Sequence, residues 1–200
     1  MANWASTAYA IEGEQSTLQK IYDAILNGNT DKIWEGDVLK ALGIDWEEYK
    51  IEHVDGTITE SGYYLRGFIE NDPWLTDNLL RFSAEEAWGL TDFAQLLKEN
   101  FHDIKIYWIV EEPGCEVYAT NDKKGKYFHE RYFVDTCIMD NYQSEYFITE
   151  EEIYRWLSKI TNGIVRSEKD AEDFNDNHTD SDDFISIHKF DVLDEDAVVK

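Results

Sequence analysis

An α+β fold is predicted, with a split βαβ antiparallel sheet that carries helices on one face and is extended by a C-terminal hairpin, a helix and a last strand. Three observations predict it. Apolar spacing switches between a period of two and one of about 3.6 along the chain. The segments follow the order β-α-(insertion)-β-β-α-β. Each helical segment is apolar on one side alone.

Ala5 to Ile11 reads as the first strand, turned at Glu12-Gly13. Leu18, Ile21, Tyr22 and Ile25 then form one helical stripe, and Asn27-Gly28-Asn29 supplies residues tolerant of left-handed backbone to stop it. Residues 29–61 read as an insertion of glycines and acids around a short helix, marked by Val38, Leu39 and Leu42 and closed by Gly43. Gly62 to Ile69 is the next strand, with Tyr63, Leu65 and Ile69 on one face, broken by Asp72-Pro73. Asn78 to Ser83 is its antiparallel return. Thr91 is placed to cap a helix whose stripe is Phe93, Leu96, Leu97 and Phe101.

From Ile104 the period returns to two, with Ile106, Trp108 and Val110 on one face until Pro113-Gly114. Glu116 to Thr120 and Tyr127 to Met139 read as a hairpin around the turn at 121–125. Thr149-Glu150-Glu151-Glu152 opens a third helix as a capping box, with Ile153, Trp156, Leu157 and Ile160 as its stripe and Asn162-Gly163 as its stop. Arg166 to Asp183 loses apolar periodicity and reads as an acidic flexible loop, before a last strand within Phe184 to Val192. The expected organisation is one domain: a core over 1–120 with the insertion at 29–61, an extension over 121–165, the loop at 166–183, and a strand and tail over 184–200.

The 18 Lys and Arg against 43 Asp and Glu leave a net charge of −25. Such a field repels phosphate backbones, which disfavours direct nucleic-acid binding, including single-strand binding by a sheet with exposed aromatics. It favours a basic protein partner. The loop at 166–183 carries eight acids against Arg166 and Lys169, so most of the charge belongs to the rest of the chain. Hydrophobic residues at 42% and aromatics at 14% suffice for a packed core. No leader peptide and no run of about 20 apolar residues is read, so a cytoplasmic location without membrane contact is expected. Cys115 and Cys137 have no metal or disulfide spacing and are expected to be reduced.

No catalytic, metal or cofactor constellation is read. His129-Glu130 lacks the second histidine of a zincin helix, and His53, His102, His178 and His188 are scattered. Glu47-Glu48, Glu85-Glu86 and Glu111-Glu112 do not read as a glycosidase acid and nucleophile, because successive strand residues face opposite sides, and in a chain so rich in acids they read as solvated. Asp173, Asn175 and Asn177 match the start of a calcium loop, but His178 and Phe184 occupy its glycine and glutamate positions. Gly56, Gly62 and Gly67 lack the placement of a phosphate loop. The partner-binding candidates are Trp46 and Tyr49 as aromatic anchors, with Asp170, Glu172, Asp173 and Asp176 as acidic contacts.

Met1-Ala2-Asn3-Trp4 resembles a Met-Pro-Asn-Trp opening, and Glu111-Glu112-Pro113-Gly114-Cys115 resembles a glutamate-proline/glycine turn after a strand. With Arg66-Gly67 and Ala87-Trp88, these features resemble the YubB-type ferredoxin-like family of bacterial phages, plasmids and transposons, over roughly residues 1 to 120. Ala2 and Ala5 stand where the family usually has proline and cysteine. The resemblance implies a ferredoxin-like fold and a mobile genetic element context, and it brings no activity or catalytic residues. The expected function is a non-enzymatic protein-interaction module, in its sharper form a nucleic-acid mimic. The alternative is an enzyme whose residues converge only in the fold.

Overall fold

The computed structural model describes residues 3–27, 31–54, 57–179 and 182–194. Gly28 and Asn29 of the expected helix stop, Met1-Ala2 of the expected opening motif and the tail 195–200 lie outside them. The chain divides into two compact units, Met1–Lys123 with Leu193–Lys200, and Lys124–Val192. The secondary structure is mixed α and β. Among the described residues no helix is long and apolar enough to cross a membrane.

The first unit is built on β1 (Trp4–Glu12), which pairs antiparallel with β7 (Leu79–Ala87) on one side and β8 (Lys105–Glu112) on the other. Further antiparallel pairs add β5 (Gly67–Glu70) to β7, β2 (Lys32–Trp34) to β5, and β9 (Val117–Thr120) to β8. The order across the sheet is therefore β9-β8-β1-β7-β5-β2, with β6 (Trp74–Leu75) also on β7. The period-two pattern explains the buried face. Tyr9 and Ile11 of β1 face the same side as Leu80 and Phe82 of β7 and Ile106 and Trp108 of β8. Helix α1 (Gln15–Leu26) buries Leu18, Ile21 and Ile25 against that face, and α3 (Phe93–Asn100) buries Phe93, Leu96 and Leu97. Each such side chain contributes about 1.5–3 kcal/mol on leaving water.

The expected insertion is largely core. Ile33 of β2 joins the buried cluster, as do Val38 and Leu39 of α2 (Glu35–Ala41) and Ile44 beyond it. Gly43 closes α2 at φ +74° in a Schellman turn, where the amides of Gly43 and Ile44 donate to the carbonyls of Lys40 and Leu39. Only the hairpin β3 (Lys50–Val54) with β4 (Thr57–Ser61) stands apart as a separate ribbon. The strand expected from Gly62 is shorter, beginning at Gly67. At Gly62 φ is +83° and a Cβ would lie 2.5 Å from the Glu48 carbonyl oxygen, so the chain turns there rather than extending.

In the second unit β10 (Tyr132–Ile138) is central in a sheet of order β11-β10-β12, between β11 (Asn141–Phe147) and β12 (Phe184–Lys189). This corrects the expected hairpin, since β9 pairs with β8 and β10 pairs with β11 through a turn at Met139-Asp140, both with positive φ. Helix α4 (Glu150–Ile160) starts at the predicted capping box, with Thr149 and Glu152 bonding reciprocally. The expected acidic loop is mostly helix α5 (Glu168–Asn177), capped by Ser167 and buried through Ala171 and Phe174. Asn175 explains its position: its side chain donates to the Ile185 carbonyl and accepts from the Ile185 amide, both at 2.8 Å. The residues that match a calcium loop are thus on a helix.

Gly67 is constrained by its neighbour rather than by its backbone angles. A Cβ on it would lie 2.4 Å from Oε1 of Glu35. Gly67→Ala is expected to destabilise the protein by about 1–3 kcal/mol through overpacking, read as a lower urea midpoint at unchanged slope. An unchanged midpoint would show that Glu35 moves aside freely.

Candidate functional site

The sequence-predicted anchors are packed into unit 1. Trp46 is half-buried, edge-on to Trp34 at 6.1 Å, with the Lys40 ammonium 5.9 Å from its ring. Tyr49 is half-buried and edge-on to Tyr64 at 6.4 Å. Each packs on a different ring, and both are half-buried. The acidic candidates lie on α5 in unit 2. Asp170 accepts from the Arg166 amide at 2.9 Å and Asp173 pairs with Lys169 at 3.2 Å, while Glu172 and Asp176 are exposed. Among the described residues no group of three or more His, Cys, Asp or Glu is placed to hold a metal ion.

What the structure brings together is the end of the unit 1 sheet where β1, β5 and β7 meet. The alternation of β7 sends Leu80, Phe82, Ala84 and Glu86 to the core face and Glu85 and Ala87 to the other. This corrects the reading of the glutamate pairs as solvated acids for Glu86 and Glu112, which are buried, while Glu47 and Glu48 are exposed; Glu35, outside those pairs, is buried as well.

Inside, hydrogen bonds join the Glu35 and Glu86 carboxyls. Oε1 of Glu86 accepts from the Tyr9 hydroxyl at 2.9 Å and from the Thr91 amide at 3.0 Å. The Thr91 hydroxyl lies 2.7 Å from Oε1 of Glu86 and 2.8 Å from Oε1 of Glu35. A hydroxyl has one hydrogen and cannot donate to both. Both short contacts are satisfied when one carboxyl carries a proton and donates to the Thr91 oxygen, and Glu35 is the carboxyl held toward its protonated form. Burial, and next the Glu86 charge, hold its pKa well above the carboxylate range against the opposing Thr91 hydrogen bond. A second carboxylate in this dry site would cost several kcal/mol. The chain thus runs from Glu35 through Thr91 to Glu86, with Tyr9 donating at the far end. Burial, then Glu86, push the Tyr9 hydroxyl pKa upward. Asp92 is the residue that precedes α3, yet the Thr91 hydroxyl oxygen, besides its carboxyl contacts, accepts from the Phe93 amide at 3.3 Å and so still serves the start of that helix.

On the opposite face the same strands present aromatics to solvent. Trp4 is opposite Ala87, and Phe68 is opposite Glu85, the residue before Glu86. Their rings are 5.8 Å apart. Trp88 follows at φ +62°, an angle that costs a bulky residue about 1–2 kcal/mol. Its amide donates to the Asn3 carbonyl at 2.8 Å and the Arg66 guanidinium lies 4.8 Å from its ring. Trp4, Phe68 and Trp88 remain 42%, 38% and 49% exposed, so a Trp4–Phe68 ring pair and a Trp88–Arg66 pair both reach the surface at this end of the sheet. Sequence reasoning ended β7 at Ser83 and so missed both faces. Continuing the Leu80, Phe82, Ala84 alternation by one step would have placed Glu86 inside.

No family model, curated protein or solved structure matches this chain.

The proton held on Glu35 fixes the sign of a pH effect. Because the folded state keeps a proton on Glu35 that the unfolded chain releases near pH 4.3, this group's contribution falls as pH rises above that value. Glu35→Gln retains a donor to Thr91 without the titration. Urea midpoints from pH 4 to 8 should therefore show the variant gaining on the wild type as pH rises. Parallel curves would contradict the assignment.

Proposed function

We propose that the chain is a non-enzymatic protein-interaction module that engages a basic protein partner, and that unit 1 is a ferredoxin-like split βαβ domain. The strand order β8-β1-β7-β5, with α1 and α3 as the two crossovers, supports the fold. The mobile-element origin implied by the YubB-type resemblance belongs to the same proposal.

The observation that carries the function is the two exposed pairs, Trp4 with Phe68 and Trp88 with Arg66, at one end of the sheet of a chain of net charge −25. Aromatic residues and arginine are the side chains that most often dominate binding energy at protein interfaces. The surrounding charge gives long-range attraction to a basic surface and penalises an acidic one. The strained backbone at Trp88 points the same way. A glycine would suit φ +62° better, so a tryptophan held there is explained by what its ring does.

Trp88→Gly separates stability from binding. It relieves backbone strain while losing the Arg66 contact, and thermal stability is expected to stay within about 1 kcal/mol of the wild type. In affinity capture from the native host at low and moderate salt, the wild type should retain a basic protein in a salt-sensitive manner. Trp88→Gly and Phe68→Ser should retain about tenfold less, consistent with loss of more than about 1 kcal/mol per anchor. Capture of no basic protein at either salt, or equal capture by the variants, would refute the proposal.

A further inference from the structure

The outer face of the unit 2 sheet presents a different chemistry. Across β11, β10 and β12 the register aligns three rows: Tyr146, Phe133 and His188; then Ser144, Asp135 and Ser186; then Tyr142, Cys137 and Phe184. These side chains share one face, and Val134, Phe147 and Ile185 on the opposite face pack with α4 and α5. Two aromatic rows therefore flank a polar row. Rows two residues apart are about 7 Å from one another along a strand, so the outer pair leaves space above Asp135.

That space is a depression of about 290 Å³ lined by Phe133, Asp135, Tyr142, Ser144 and Phe184. Tyr142 and Phe184 meet at 61° with centroids 6.4 Å apart and form a corner, while Phe133 belongs to the facing row. Phe133 is fixed by Tyr146 at 5.0 Å and by His188, stacked at 6.1 Å. The Asp135 carboxylate is oriented by Nε2 of His188 at 3.2 Å, yet its side chain stays 38% exposed.

The geometry points to this depression as a binding site for a quaternary ammonium group, either a free small cation or a trimethylated lysine side chain. Ring faces carry negative quadrupole potential and attract a cation that gives up little hydration, and recognition of quaternary ammonium by several rings is a recurrent use of this interaction. The carboxylate supplies the matching charge. Rings set at an angle suit a compact, rounded cation better than a flat one, which would stack on a single plane. The chain's net charge of −25 raises the local cation concentration. This site is in unit 2 and does not depend on the exposed pairs of unit 1, so the two proposals stand or fall separately.

The test is a ring-resonance NMR titration of the full chain with tetramethylammonium chloride, with 3,3-dimethylbutanol as an uncharged ligand of similar shape, and with sodium chloride as the ionic control. Tetramethylammonium should give saturable shifts centred on Tyr142, Phe184 and Phe133. The alcohol should bind about tenfold more weakly, as should tetramethylammonium to Asp135→Asn and to Tyr142→Ala. Tyr142 is 70% exposed, so its removal leaves the fold intact. Trimethyl-lysine and unmethylated lysine peptides form a second arm: tighter binding of the trimethylated peptide than of tetramethylammonium assigns the site to a protein ligand, and equal binding assigns it to a free cation. Shifts that do not saturate, shifts reproduced by sodium chloride, or equal affinity for the alcohol would overturn the proposal.

Discussion

The hydrogen-bond chain from Glu35 through Thr91 to Glu86 and Tyr9 is the constraint around which unit 1 is arranged. Its members come from α2, the turn before α3, β7 and β1, and Gly67 of β5 yields the space that the Glu35 carboxyl fills. A buried carboxyl pair is costly, and here Oε1 of each carboxyl is bonded while Oε2 of Glu35 and Oε2 of Glu86 are buried without a hydrogen-bond partner. Held by one proton, the pair becomes a directional link that only one arrangement of these elements completes. Hydrophobic burial supplies most of the stability, and the proton chain specifies where α2 docks and how β5 approaches β7.

The same constraint reaches the surface. Because residues alternate along β7, fixing Glu86 inside fixes Glu85 and Ala87 outside, and with them the cross-strand positions of Phe68 and Trp4. The Tyr64 backbone is tied to Asp92 by two hydrogen bonds of 2.7 and 2.9 Å, which holds the approach to Arg66 and Gly67. The exposed pairs thus rest on a rigid frame, and a rigid anchor loses less entropy on binding. Unit 2 follows another route, where register alone stacks aromatic and polar rows on one sheet face.

Elements with strong periodicity were legible in the sequence. Leu18, Ile21 and Ile25 marked α1, Ile106, Trp108 and Val110 marked β8, and Thr149 with Glu152 marked the start of α4. Residues whose role is set by distant partners were not. Glu35 reads as one acid among many until Glu86, 51 residues later, shares Thr91 with it. α5 carries only Ala171 and Phe174 as apolar contacts, so its helix depends on the Ser167 cap and the Asn175 bonds to Ile185 rather than on a stripe. The pairing of β10 with β11 is not legible because Asn141 to Phe147 carries three successive polar residues, Gln143, Ser144 and Glu145, and no apolar face.

The most direct measurement is the carbon-13 shift of the Glu35 side-chain carboxyl, followed by NMR across the pH range of folding. The account predicts the protonated position at neutral pH, with no change through the range where exposed glutamates ionise. An ordinary glutamate titration at Glu35 would contradict it, and with it the proton held on Glu35 on which the arrangement of unit 1 is argued.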